Sequence, residues 1–194
     1  MSFGSISMLL ISQNLSRYEK IPQDAVVRIN LAWVDSLKSL EDQISKFPNL
    51  IFLDLPIGRT KPPNNTYSID EIKEVILNNK NVKYLAISNV ESSEDIESYV
   101  ELFKGILQIV PKIESKKGID NISEIVSILG SEPCIMLDHD DLFLDLTKLN
   151  ISTSDFFPII EILASFCDKN NVKLLRTRGV VFSDQDSYNY KNKK

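Results

Sequence analysis

The chain has little of what marks several large protein classes. Cysteine occurs twice in 194 residues, as Cys134 and Cys167. That is too few and too widely spaced for a disulfide framework or a thiolate metal site, so both thiols are expected in the core and a reducing cytoplasm is the expected compartment. Histidine occurs once, as His139, which reads as a surface or supporting residue rather than a general base. No basic cluster appears apart from the Lys-rich extreme C-terminus. With a net charge of -5 and a pI near 5.0 the chain lacks the footprint of a nucleic-acid surface. No apolar run approaches the roughly 20 residues of a spanning helix, so no membrane is expected. The run Ser5 to Ile11 follows no positive residue and reads as a first strand rather than a leader. A GxxxxGK[ST] phosphate loop, an internal repeat and a low-complexity linker are also missing.

What the sequence does have is a series of short apolar runs that stop on a polar or ionisable residue. Val26-Val27 stops at Arg28, Ile51-Phe52-Leu53 at Asp54, Leu85-Ala86-Ile87 at Ser88, Ile109-Val110-Pro111 at Lys112, Ile135-Met136-Leu137 at Asp138, and Leu174-Leu175 at Arg176. Unalternating runs of this length suit strands buried on both faces, as in a parallel sheet covered by helices. Seven strands are expected, near 5-11, 25-30, 50-54, 82-88, 106-113, 133-138 and 172-176. Helices are expected over 34-46, 68-79, 93-104, 119-129 and 154-169, with Ser68 and Glu71 forming a capping box and Ser92 with Asp95 resembling another. The alternation predicts an α/β fold of repeated β-α units, a (β/α) TIM-type barrel. A full barrel usually takes about 200 to 250 residues, so this one is short. Residues 1-182 would form the barrel domain and 183-194 a polar C-terminal tail. Either the barrel is incomplete or a second copy covers the gap between strands seven and one, and a homodimer is expected on that ground.

Two strands carry polar residues at a spacing of two, Arg28 with Asn30 and Lys112 with Glu114, which places each pair on one face of its strand. Charges directed into one barrel mouth are costly unless a ligand or metal offsets them. In the alternative reading, Lys112 and Glu114 are a structural ion pair. The acidic run Asp138, Asp140, Asp141 is read either as a solvated turn or helix cap or as part of the site.

At these positions the sequence resembles pyruvate kinase, within the barrels that act on phosphoenolpyruvate and pyruvate. Arg28-Ile29-Asn30-Leu31 resembles the family's Arg-Leu-Asn-Phe segment, and Asp54-Leu55-Pro56 with Arg59-Thr60 resembles its Asp-x-x-Gly-Pro-x-Ile-Arg-Thr segment. The stretch from Ile109 to Ile125, Ile135-Met136-Leu137 leading to Asp141-Leu142, and Lys173 to Thr177 resemble three further motifs in the same order.

The resemblance implies that Glu114 and Asp141 bind Mg2+ or Mn2+ and that Lys112 stabilises a transferring phosphoryl group or an enolate oxygen. It implies that Arg28 contacts phosphate. Thr177, Asp140 and Arg59 would hold substrate, and Asn30 with Asp54 a monovalent cation such as K+. The partner would be a small 2-oxo acid or enol phosphate, and the chemistry that of an enolate, as in a lyase, aldolase or transferase.

The departures are substantial. His139-Asp140 replaces the family's Arg-Gly, Phe143 replaces a glycine, and only Lys61 to Tyr67 follow Thr60 where the kinase inserts a lid domain. Pyruvate kinase activity itself is therefore not expected. A second expectation, from a different class, is a degenerate barrel kept as a binding or assembly protein.

Overall fold

A computed structural model describes residues 8-12, 21-59 and 62-176. Seven parallel strands form one sheet: β1 (Leu10–Ser12), β2 (Val26–Asn30), β3 (Leu50–Leu55), β4 (Val82–Ile87), β5 (Gln108–Ile113), β6 (Cys134–Leu137) and β7 (Lys173–Arg176). Their order across the sheet is their order along the chain. Helices lie between them: α1 (Leu37–Ser45), α2 (Ile69–Asn78), α3 (Glu94–Leu102), α4 (Lys116–Asp120), α5 (Ile122–Ser127), α6 (His139–Lys148) and α7 (Phe156–Lys169). None of the described helices is long and apolar enough to cross a membrane.

The period of two along each strand divides the apolar residues between two cores. Val27 and Ile29, Ile51, Leu53 and Leu55, and Leu85 and Ile87 pack against the helices in the main core. The alternate residues Val26, Phe52, Ala86, Val110, Met136 and Leu175 form a second apolar cluster, which Leu10 joins. That second cluster draws on every strand from β1 to β7 and lies on the concave face of the curled sheet.

The curl stops short of the expected barrel. Among the described residues β1 pairs with β2 alone and β7 with β6 alone, which leaves an α/β fold with an open, curled sheet. Residues 5-7 of the expected first strand, the Val180-Val181-Phe182 run and the polar tail lie outside the described residues. Closing a barrel needs a strand that hydrogen-bonds to both neighbours, and the described segments supply seven strands and six pairings.

The capping box at Ser68 forms as expected: its hydroxyl accepts from Glu71 N and the Glu71 carboxylate accepts from Ser68 N at 2.7 Å. The one expected at Ser92 does not. Asp95 Oδ2 accepts from Glu91 N and Ser92 N at 2.8 and 2.9 Å, but no side chain caps α3, which begins one residue later. The α6 helix was not expected from the sequence at all. Its first turn is acidic, with Asp138 as N-cap accepting from Asp141 N, and only Leu142 and Leu146 bury their side chains. A four-residue spacing of two leucines is a thin apolar stripe beside so many charges.

At Gly118 in α4 a Cβ would fall 2.6 Å from Val90 O, so a side chain there would force α4 away from the loop after β4. Burial pushes the Cys134 thiol up to about 12 and the Cys167 thiol up to about 11, which keeps both protonated and inert.

Candidate functional site

The concave face changes character along the strands. Its lower half is the apolar cluster. Its carboxyl edge carries Arg28 and Asn30 of β2, Asp54 of β3, Ser88 just after β4, Lys112 of β5, Glu114 just after it, and Asp138 after β6. Register brings Asn30 opposite Asp54. The same parity that buries Phe52 inward also turns Asp54 inward, two residues further on.

Lys112 is the hub. Its ammonium lies 2.7 Å from Glu114 Oε1, 3.6 Å from Asp54 Oδ1 and 4.0 Å from Asp138 Oδ2, and it donates to Ser88 Oγ at 3.1 Å. Lys112 is 6% exposed, Glu114 5% and Asp54 1%. Arg28 donates from Nε to Asp54 Oδ2 at 3.0 Å, and its Nη2 contacts the same oxygen. Asp54 Oδ1 is buried without a hydrogen bond. Glu114 Oε2 accepts from Asn89 N at 2.7 Å, and Asn89 holds this position with a φ of 56°.

Burial by itself would lower the Lys112 pKa, but the carboxylates of Asp54, Glu114 and Asp138 outweigh it and hold the ammonium above its ordinary value. The surrounding carboxylates thus favour the ammonium form of Lys112. Glu114 is raised, because burial and the Asp138 carboxylate together exceed the relief from Lys112 and the Asn89 N–H. The two shifts differ in source: burial dominates at Glu114, whereas neighbouring carboxylates dominate over burial at Lys112. His139 is lowered by burial and by Arg176, so its imidazole is neutral at pH 7.

Glu114, Asp138 and Asp141 each present a carboxylate oxygen such that all three lie within 4.8 Å of one another. Hard oxygen donors of this kind suit Mg2+ or Mn2+, and the partial exposure of Asp138 and Asp141 leaves room for water or ligand oxygens. Around the Lys112 ammonium, the carboxylates of Asp54, Glu114 and Asp138 outnumber the two cations in contact with them among the described residues, Lys112 and Arg28. A divalent cation would cancel that excess. Beside the cluster opens a cavity of about 350 Å³, lined by Asn30, Asp54, Arg59, Lys112, Glu114 and Asp141 among others. A larger hollow of about 830 Å³ lies at the amino ends of β4 and β5, away from these charges.

Of the site residues expected from the sequence, Arg28, Asn30, Asp54, Arg59, Lys112, Glu114 and Asp141 come together at this edge. The Asn30 side chain accepts from Ala32 N at 3.0 Å and so also caps the short 3-10 turn that follows β2. Asp140 is exposed on the first turn of α6 and does not line the cavity. Thr177 and Thr60 lie outside the described residues. Sequence reasoning left Asp138 divided between helix cap and site; in the structure its carboxylate does both, accepting from Asp141 N at 3.3 Å through Oδ1 while Oδ2 faces Lys112. Ser88 was noted only as the residue that ends a strand. Its position level with Lys112 was the available signal.

No family model matches the chain, and no curated protein matches it in sequence. Among solved structures the chain is similar to RipC from Yersinia pestis, with a TM-score of 0.62 and 16% sequence identity over 91% of this chain and 77% of that one. A likeness at that identity speaks for the fold. These findings overturn the resemblance to pyruvate kinase, since a solved structure that shares this fold is RipC and no family match supports the kinase. The motifs behind that resemblance have a simpler origin. Buried parallel strands are rich in Ile, Val and Leu, and charges gather where they end, so short apolar-then-charged segments recur in order along any such sheet.

Proposed function

We propose that this protein binds Mg2+ or Mn2+ through Glu114, Asp138 and Asp141 and, with it, a small 2-oxo acid or enol phosphate, acting on the derived enolate as a lyase, aldolase or transferase. The observation that carries this reading is the convergence of three carboxylates beside a buried Lys112 ammonium at the carboxyl edge of a parallel sheet. Ligands in parallel α/β sheets bind at that edge. The cation, when bound, supplies Lewis acidity toward a ligand carbonyl. Lys112 donates to the oxygen on which enolate charge develops, and its burial strengthens that interaction. Arg28, held by Asp54, pairs with a carboxylate or phosphate of the ligand.

Saturating Mn2+ is the test. At a hundredfold excess over its dissociation constant, a ligand specific for the folded state adds about 2.7 kcal/mol. For a chain of this size that corresponds to a rise of roughly 5 to 10 °C in melting temperature. Glu114→Gln should abolish the rise, and adding oxalate, an enolate mimic, should enlarge it in the wild type. An identical Mn2+ shift in Glu114→Gln would sink the proposal.

A second reading, a binding or assembly protein, is favoured by apolar side chains on the outside of α6 and α7: Phe143, Phe157 and Ile162 are 40 to 65% exposed. Large exposed apolar residues grouped on neighbouring helices mark interaction surfaces. A homodimer through this face or through the open sheet edges should show in light scattering as twice 22.1 kDa. A constant monomer mass across a concentration series would remove it.

A further inference from the structure

The cavity beside the carboxylate cluster is larger, and more varied in charge, than a three-carbon acid requires. Its volume of about 350 Å³ lies within the range of small-molecule sites, about 300 to 1,000 Å³. One wall is the cluster itself, where the buried Asp54 leaves Oδ1 without a hydrogen bond and 3.6 Å from the Lys112 ammonium. An unsatisfied carboxylate oxygen at 1% exposure is costly, and it points to a bound group that completes this end.

The rest of the lining is different. Arg59, on the loop after β3, and Lys148, in the last turn of α6, both face the same cavity. Neither has a carboxylate partner among the described residues. Arg59 is braced through Nε, which donates to Pro63 O at 2.8 Å, so its terminal amino groups are positioned yet uncommitted. Asp141, Leu144 and Lys148 share one side of α6 and all line the cavity. Seven residues at a rise of about 1.5 Å set the Lys148 backbone about 10 Å beyond that of Asp141. A lysine at a helix C-terminus is ordinarily explained by the helix dipole. Here the same side chain also borders a cavity opposite a braced arginine.

We infer that the ligand is a dianion whose second acidic group, remote from the cation-binding head, is held by Arg59 and Lys148. This rests on the divalent-cation reading and narrows its substrate class to 2-oxo acids with a distal carboxylate. The head would occupy the Glu114, Asp138 and Asp141 end, and a chain of several atoms would carry the distal group to the two cations. Guanidinium and ammonium groups on separate elements would select the length of that chain.

Calorimetric titration of the Mn2+-loaded protein with 2-oxoglutarate and with pyruvate separates the possibilities. The wild type should bind 2-oxoglutarate at least tenfold more tightly. The double variant Arg59→Ala/Lys148→Ala should lose that preference while keeping its affinity for Mn2+ and pyruvate, and Lys169→Ala at the exposed C-terminal end of α7 should change neither. Equal affinity for the two acids in the wild type would overturn the inference while leaving the cation reading intact. A preference that survives the double variant would overturn the assignment to Arg59 and Lys148. Failure of Mn2+ itself to bind would overturn both readings.

Discussion

Lys112→Met should destabilise the protein by about 3–5 kcal/mol at pH 7, the usual cost of removing one partner from a buried charge network. The side chain is 6% exposed, and its ammonium faces Glu114, Asp54 and Asp138 together. Methionine preserves much of the volume, so the loss reports on charge rather than on a cavity. Asp54 Oδ1, already without a hydrogen bond, would lose its nearest cation. Urea denaturation gives the measurement, with an unchanged m-value as the check that the denatured state is comparable.

The pH dependence has a definite sign. The folded pKa of Lys112 lies above its ordinary value, so its stabilisation is complete below about pH 10.4 and is lost as pH rises through the folded pKa. Without the ammonium that now lowers it, the Glu114 carboxyl, already raised by burial, rises further, so the deficit of the variant should shrink as pH falls from 7 towards 4. A loss below 1 kcal/mol, or a deficit independent of pH, would mean that water replaces the ammonium at little cost.

Phe52→Ala should be about as damaging, at about 3–5 kcal/mol. Phe52 is fully buried on the concave face and stacks on Tyr84 with ring centroids 6.0 Å apart. It lies two residues before Asp54 on the same face of β3, so it is the floor on which the charged layer stands. The cavity would therefore also loosen Arg28 and Asp54, and Mn2+ affinity should fall along with stability. Leu77→Ala, at a side chain 50% exposed on α2, serves as the control and should stay within about 0.5 kcal/mol of the wild type. Equal effects at the two positions would mean that the concave cluster contributes nothing special.

The strands were legible in the sequence because burial on both faces leaves no alternation to misread, and because each run ends at the edge where charges can meet solvent or ligand. Lys112 with Glu114 and Arg28 with Asn30 were legible for a related reason: a spacing of two fixes a common face whatever the curvature of the sheet. Curvature itself was not legible, because it depends on how far Leu10 and Leu175 are drawn across the concave face, a property of the whole sheet. The α6 helix was hidden by its own acidic first turn. Asp138, Asp140 and Asp141 suit a helix N-terminus electrostatically, yet they erase the apolar period that would have announced the helix. The family resemblance failed because short apolar-then-charged segments arise wherever buried parallel strands end, and so carry little that is specific to one family.

Because the strands lie across the sheet in the order of the chain, no strand must be threaded between two that are already paired. Each addition closes a loop of a few tens of residues, and the entropy of closure grows only logarithmically with that length. Lys112, Glu114, Asp138 and Asp141 all belong to the single unit that runs from β5 through α6. The carboxylate cluster can thus assemble as soon as that unit docks, before β7 is in place. A chain emerging from the ribosome would hold these carboxylates together while its last strand was still being made, and a divalent ion bound there as proposed would favour early closure of the fold.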